Sequence, residues 1–214
     1  MKKRAILQWL AKASFFLFIV CFAAAIFNVA ISYVDPDFSR GFLLNKQALF
    51  TGYWFPAALY LHAFSAPVVL ILVSLLVVFR VERYRYVHRF LGRVSLVLLF
   101  IAVIPSGWVL SYFAMGGIPG KFVFFLLTSY TAYTAFQGYQ SIRNKDVTGH
   151  KYHMTELVLL LASTTVLRLL LALFQLKLGW FGDTAYTTAA ILSWVPSVLL
   201  LKIARYVTRE RFTL

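Results

Sequence analysis

The sequence predicts an all-α membrane protein, a bundle of six transmembrane helices with both termini in the cytoplasm. Of its 214 residues 61% are apolar, and the mean hydropathy is +0.79. An ordinary soluble domain is about half apolar. Charged residues make up 13% of the chain, roughly half the usual share. A soluble fold of this size could not cover so much apolar surface, whereas lipid solvates it directly.

Apolar residues gather in six runs, each close to the roughly 20 residues that a helix needs to cross a bilayer. Short loops join the runs, so neighbouring helices should be antiparallel. Since no flexible or low-complexity linker divides the chain, we expect a single membrane domain over residues 1–214. The six predicted spans cover about residues 13–34, 55–79, 91–113, 122–140, 154–176 and 186–204.

Several runs carry individual signals. The first run, 13–34, is longer than the h-region of a signal peptide, so we expect an uncleaved signal-anchor. Pro105 and Pro196 lie inside the third and sixth runs and predict kinks. The fourth run, 122–140, is the least apolar because polar side chains dilute it: Thr128, Ser129, Tyr130, Thr131, Tyr133, Thr134 and Gln137.

The basic residues predict the orientation of the spans. Sixteen of the 21 Lys and Arg residues fall in the segments 2–12, 80–93, 143–151 and 202–211, and four fall in the alternate loops. Short cytoplasmic loops are enriched in Lys and Arg. The first set of segments is therefore expected in the cytoplasm.

The same charge distribution argues against nucleic-acid binding. The net charge of +14 is spread over loop segments and does not form the basic patch that nucleic acid requires. A single cysteine, Cys21, permits neither an internal disulfide nor a thiolate metal cluster. The chain also has no zinc-protease helix motif and no phosphate-binding glycine loop. Glu156 lies just inside the fifth helix, and no carboxylate pair is expected at depth.

Two ionisable residues lie at similar depth in the outer half of the predicted bundle. Arg168 is about 12 Å from the outer end of the fifth run, and His62 is about 10 Å inside the second. With Ser106, Trp108 and Thr164 they suggest an outward-opening pocket for an anionic or carbonyl ligand. The alternative is structural, with Arg168 bonded to backbone carbonyls and to Thr164 one turn earlier.

A second group of histidines lies at the cytoplasmic ends of the third and fifth helices. His88 precedes one helix, and His150 and His153 precede the other. Paired imidazoles at the end of a bundle can ligate haem iron or a transition metal. The pattern allows one b-type haem between His88 and His150, but four histidines divided three to one do not allow a two-haem chain unless Met or another side chain replaces a histidine ligand. The alternative places these side chains in the headgroup layer without a ligand.

Three motifs lie along the middle of the chain: His88-Arg89-x-x-Gly92, Ile142-Arg143-x-x-Asp146 followed by His150 and Met154, and Thr165-x-Leu167-Arg168. With His62 in the preceding helix, they resemble a bacterial family of predicted membrane proteins grouped as domain of unknown function 2306. The resemblance spans about residues 57–175. One stretch departs: the family pattern has Trp just before Met and then Arg-Ser, whereas here His153 precedes Met154 and Thr155-Glu156 follow it. The resemblance implies a multi-helix inner-membrane protein, and shifts the functional expectation to His62, His88, His150 and Arg168.

Three functions are compatible with these residues. The first is a redox protein holding a b-type haem or a metal through His88 and His150, with quinone as electron partner near Arg168. The second is a small transporter or ligand-binding protein that uses the pocket of His62 and Arg168. The third is a non-catalytic accessory subunit whose apolar faces contact a partner membrane subunit.

Overall fold

The computed structural model describes residues 2–39, 43, 46–79 and 84–210, and the regular structure in these ranges is helical. The all-α prediction is therefore confirmed for this part of the chain. Arg40, Arg80, Arg83 and Arg211, which contribute to the charge bias, lie outside the described residues. The chain divides into two compact units, residues 1–110 and 111–214.

The N-terminal unit is built from long apolar helices: α1 (Lys2–Ser32), α2 (Trp54–Val78), α3 (Arg85–Leu98) and α4 (Ile104–Tyr112), whose last two residues belong to the second unit. A short 3-10 helix, Gln47–Thr51, precedes α2. Helices α1 and α2 pack through aromatic edges, with ring centroids 5.5 Å apart for Phe27 and Phe64. The Tyr60 hydroxyl donates to the carbonyl of Tyr33 at 2.7 Å, which fixes the end of α1 against α2.

A π-helical turn, Leu99–Val103, joins α3 to α4. It directly precedes the proline at which the sequence predicts a kink. Pro105 lacks the N–H that would bond the carbonyl four residues earlier, and wider i→i+5 bonding lets the helix continue past this gap. The third span is therefore one continuous helix with a local widening.

The C-terminal unit contains three long helices, α5 (Gly117–Arg143), α6 (Val147–Leu178) and α7 (Gly182–Glu210). The turn between α5 and α6 places Lys145 at a φ of 62°. Asp146 then caps α6, because its Oδ1 accepts the N–H of Gly149 at 2.8 Å. The second half of α6 and the first part of α7 form an apolar core of Leu167, Phe174, Ala185, Ala189 and Ala190.

A polar clamp holds the start of α5 against the start of α7. Gly116, at a φ of 91°, donates its N–H to Oδ1 of Asp183 at 3.1 Å. The hydroxyl of Thr187 donates to the Gly116 carbonyl at 3.2 Å. Gly120 follows one turn later, and a Cβ there would collide with the Met115 carbonyl.

Among the described residues, five helical segments are long and apolar enough to cross a membrane: Trp9–Ile31, Trp54–Val78, Arg85–Tyr112, Val147–Leu178 and Gly182–Val207. Large apolar side chains such as Ile101, Leu176 and Leu200 are more than half exposed on these helices, as lipid-facing residues are. The molecule is therefore a polytopic membrane bundle. Helix α5 is 27 residues long but more polar, so a sixth span remains a prediction.

The helices extend beyond the apolar runs from which they were predicted. The fifth run, 154–176, lies inside α6, which begins at Val147. The sixth run, 186–204, lies inside α7, which extends from Gly182 to Glu210. The polar ends of these helices continue the intrahelical hydrogen bonds outside the apolar segment, so hydropathy underestimates helix length.

Candidate functional site

The most unusual side chain of the C-terminal unit is the carboxylate of Glu156. It is only 2% exposed and lies on α6, about 14 Å along the helix from Val147. Burying an ionised carboxylate is costly unless it is paired and hydrogen-bonded, and ionisable residues inside spans mark functional sites by default.

Helix α5 supplies the closest partner of this carboxylate. The Tyr130 hydroxyl donates to Oε1 of Glu156 at 2.6 Å. Thr134, one turn along α5, is fully buried. These two residues belong to the polar set that makes the fourth apolar run weak. The polarity of α5 is therefore concentrated where the helix meets Glu156.

Helix α6 itself supplies a second partner. Nδ1 of His153 lies 3.5 Å from Oε2 of Glu156, within ion-pairing distance. The spacing of three residues places both side chains on one face of the helix. The ring of Tyr152 packs edge-on against the His153 ring, with centroids 5.1 Å apart. Glu156 thus contacts a phenol through one carboxylate oxygen and an imidazole through the other.

Helix α7 completes the cluster with an indole and two cations. The Trp194 ring lies 6.1 Å from the Tyr130 ring. The ammonium of Lys202 lies over the same tyrosine ring, 5.1 Å from its centroid, and the guanidinium of Arg205 lies 4.0 Å from the centroid of Tyr152. We call the set Tyr130, Thr134, Tyr152, His153, Glu156, Trp194, Lys202 and Arg205 the carboxylate cluster.

Two buried polar atoms of the carboxylate cluster make no hydrogen bond: Nδ1 of His153 and Nε1 of Trp194. Buried polar groups are nearly always satisfied, so such atoms call for an explanation. The His153 atom faces Oε2 of Glu156 at 3.5 Å, and the Trp194 ring packs against Tyr130. These atoms near Glu156 could therefore form hydrogen bonds with a group that is not part of the protein.

In the N-terminal unit, the structure brings together two residues that the sequence placed in one pocket. Nδ1 of His62 lies 3.1 Å from Oγ of Ser106 and 3.2 Å from the carbonyl of Val103, at the end of the π-helical turn. The Ser106 hydroxyl itself donates to the carbonyl of Ala102. Trp108, two residues further along, is 42% exposed.

The other two residues of that predicted pocket lie together in the C-terminal unit. Nη1 of Arg168 donates to the backbone carbonyl of Thr164 at 3.3 Å, and the arginine is exposed on α6. The Thr164 hydroxyl bonds the carbonyl of Leu161. The alternative to a ligand pocket is that Arg168 bonds backbone carbonyls one turn earlier, and this contact is of that kind. A pocket that Arg168 shares with His62 stays a prediction.

The cytoplasmic histidines of the haem hypothesis also belong to different units. His88 is partly buried in the first turn of α3. Nδ1 of His150 lies 2.8 Å from the carbonyl of Gly138 on α5. Gly138 allows this approach, because a Cβ there would meet Met154 and the Cβ of His153. Across the described residues, no group of three or more His, Cys, Asp or Glu side chains is placed to hold a metal ion.

One lysine outside the spans also has an altered environment. Lys46, just before the 3-10 helix, is 9% exposed, and its ammonium lies 5.6 Å from the centroid of the Phe55 ring. Burial lowers the pKa of Lys46 below its ordinary value.

Sequence reasoning missed the carboxylate cluster although its signals were present. A lone glutamate within an apolar run, with histidine three residues earlier, is unusual in a membrane helix. In the sequence alone, the polar residues of the fourth run indicate a weak span, and the face that they share is not apparent. Only the packing of α5 against α6 shows that the glutamate and histidine of α6 and the polar residues of α5 belong to one site.

Comparisons with known proteins agree with the resemblance based on motifs. The model of a family described as predicted membrane protein (DUF2306) matches residues 59–205. Searches of curated proteins and of solved structures found no match to the chain. The match includes every member of the carboxylate cluster as well as His62, His88 and Arg168. The chain therefore belongs to this family of membrane proteins, domain of unknown function 2306.

Proposed function

We propose that this protein moves protons across the membrane, and that Glu156 is the group that binds the proton. The supporting observation is a carboxylate only 2% exposed, held by the hydroxyl of Tyr130 at 2.6 Å in a helix apolar enough to span a bilayer. Buried carboxylates, together with histidines, form the proton relays of membrane pumps and transporters. This proposal is a form of the transporter hypothesis, with the site moved from the predicted outer pocket to the carboxylate cluster.

The neighbouring groups define how the proton is handled. Protonated Glu156 is neutral and is tolerated in an apolar span, whereas ionised Glu156 is stabilised by the Tyr130 hydroxyl. His153 receives the proton through Nδ1, 3.5 Å away, and passes it toward the end of the unit where α6 begins. Lys202 and Arg205 lie on the adjacent ring faces, and their positive charges favour release.

The experiment is proton flux into liposomes that contain the purified protein and a trapped pH-sensitive dye. A potassium gradient with valinomycin supplies the driving potential. We expect flux above that of protein-free vesicles, loss of flux in Glu156→Gln, and near-normal flux in Tyr133→Phe. Tyr133 is a suitable control because it stacks on Tyr130 but is 54% exposed. A flux equal to that of empty vesicles, or retained in a folded Glu156→Gln variant, contradicts the proposal.

A second candidate function is the redox protein with a b-type haem, which the geometry of His150 favours. The Gly138 carbonyl can only accept a hydrogen bond, so Nδ1 of His150 carries the proton and Nε2 is the basic nitrogen. Metal-ligating histidines are commonly oriented in this way by a backbone carbonyl. We propose quinone as the electron partner.

An absorption spectrum tests this candidate. Protein purified from haem-replete cells should show a Soret band that shifts on reduction with dithionite. The band should disappear in His150→Ala and persist in His153→Ala, because His153 pairs with Glu156. A colourless preparation excludes the haem.

We also propose that α5 is a true span, which gives six spans with both termini in the cytoplasm of a bacterial inner membrane. The supporting observation is the sixteen-to-four bias of basic residues between alternate loops. A partner membrane subunit would cover part of the apolar surface, and its co-purification in mild detergent tests that arrangement.

A further inference from the structure

We propose that the carboxylate cluster also binds an organic cation, a substituted ammonium ion, which exchanges with the proton at Glu156. This inference rests on the proposed proton site and adds the chemical class of the transported solute. Three observations carry it: the buried carboxylate, the aromatic rings around it, and an ammonium group of the protein itself on one of those rings.

The first observation concerns charge. Glu156 is 2% exposed, and the closest oxygen contact is the hydroxyl of Tyr130, which is neutral. A cation bound beside Glu156 compensates the carboxylate charge as a proton does, so the two are natural competitors for one site. Binding of a monovalent cation with release of one proton leaves the net charge of the buried site unchanged.

The second observation concerns the walls of the site. Tyr130 stacks on Tyr133, with centroids 6.1 Å apart and planes at 23°, and packs against Trp194 at the same distance. Faces of tyrosine and tryptophan attract cations, and several such faces together recognise quaternary ammonium groups. Nε1 of Trp194, which is buried without a hydrogen bond, adds a donor beside these faces.

The third observation shows that the Tyr130 face accepts an ammonium ion. Nζ of Lys202 lies 5.1 Å from the centroid of that ring, although residue 202 is exposed at its place on α7. Its flexible four-carbon stem can move the ammonium away without altering the helix. The Lys202 ammonium therefore occupies the Tyr130 ring face in the absence of solute and competes with a cationic solute for it.

The charged and titratable groups facing Glu156 set the expected pH dependence. They are Tyr130 from α5, His153 and Tyr152 from α6, and Lys202 and Arg205 from α7. In this proposal a proton and the cation compete for the same carboxylate, so a higher proton concentration opposes cation binding. Binding should therefore weaken as the pH is lowered.

The experiment is equilibrium dialysis of labelled benzyltrimethylammonium against the full chain in detergent, with benzyl alcohol as the uncharged comparison. We expect saturable binding of the ammonium ion, weakened by acid, and none of the alcohol. Glu156→Gln should weaken binding about tenfold or more. Lys202→Met should strengthen it severalfold by removing the competitor, a result that a merely structural role of Lys202 does not produce.

The matched control is Lys121→Met. The Lys121 ammonium lies 4.9 Å from the centroid of Tyr112, in the same unit but on a ring outside the carboxylate cluster. This change should leave binding unaltered. Absence of saturable binding, equal binding by Glu156→Gln, or no gain in Lys202→Met overturns the inference. Proton flux without cation binding leaves the proposed function intact and removes only the cation.

Discussion

At the scale of single residues, two stacked tyrosines allow a matched test of the hydrogen bond to Glu156. The Tyr130 hydroxyl bonds the buried carboxylate at 2.6 Å, whereas Tyr133 is 54% exposed. We expect Tyr130→Phe to lower the free energy of unfolding by about 1 kcal/mol, because a hydrogen bond to a carboxylate is lost inside the bundle. Tyr133→Phe should cost less than about 0.5 kcal/mol, as exposed substitutions usually do.

Both variants can be measured by unfolding in mixed micelles with increasing denaturing detergent. The two phenylalanine substitutions remove the same hydroxyl from neighbouring rings, so their difference isolates the bond to Glu156. Equal losses of stability would show that the bond contributes nothing to the folded state.

At the scale of secondary-structure elements, glycines decide how closely α5 approaches its neighbours. A Cβ on Gly120 would overlap the backbone carbonyl of Met115, which cannot move without shifting the turn that Asp183 and Thr187 hold. We expect Gly120→Ala to destabilise the protein by about 2 kcal/mol, the usual cost of overpacking.

Gly92 on α3 provides the opposite case. A Cβ there has Leu76 as its nearest neighbour at 4.0 Å, an ordinary contact. Gly92→Ala should stabilise the protein by up to about 1 kcal/mol, because alanine favours the helix more than glycine does. Thermal unfolding in detergent measures both changes. If the two alanines shift stability in the same direction, the close approach at Gly120 is not the controlling contact.

At the scale of the whole molecule, the number of spans depends on α5. Six spans place Tyr86 and Asn144 on the same side of the membrane, with Asp37 and Phe181 on the other. If α5 does not cross, Asn144 changes sides. We expect single cysteines introduced at Tyr86 and Asn144, in a Cys21→Ser background, to be labelled by an impermeant thiol reagent only after the cytoplasmic side is opened. Labelling of Asn144→Cys in intact cells would reduce the count to five.

The sequence alone determined the membrane bundle, the helical class and the family. Lipid-exposed segments must satisfy every backbone hydrogen bond internally, so long apolar runs specify helices whatever their packing. The motif positions that indicated the family include Asp146 and His150, and the structure assigns them to the cap of α6 and to the contact with Gly138. These interactions are local in the chain, which is why a sequence pattern could indicate them.

The carboxylate cluster was decided only by tertiary structure. Its members come from three helices, and Tyr130, Glu156 and Lys202 lie far apart in sequence. Hydropathy measures how polar a segment is but not on which helix face the polar residues lie. Tyr130 and Thr134 therefore make the fourth run a weaker span by hydropathy, and only the packing of the helices shows that they lie beside Glu156. The polar residues of the fourth run and the glutamate of the fifth run are separate features of the sequence. Helix packing brings them into one buried site, and that packing depends on side-chain shape and on glycines such as Gly138.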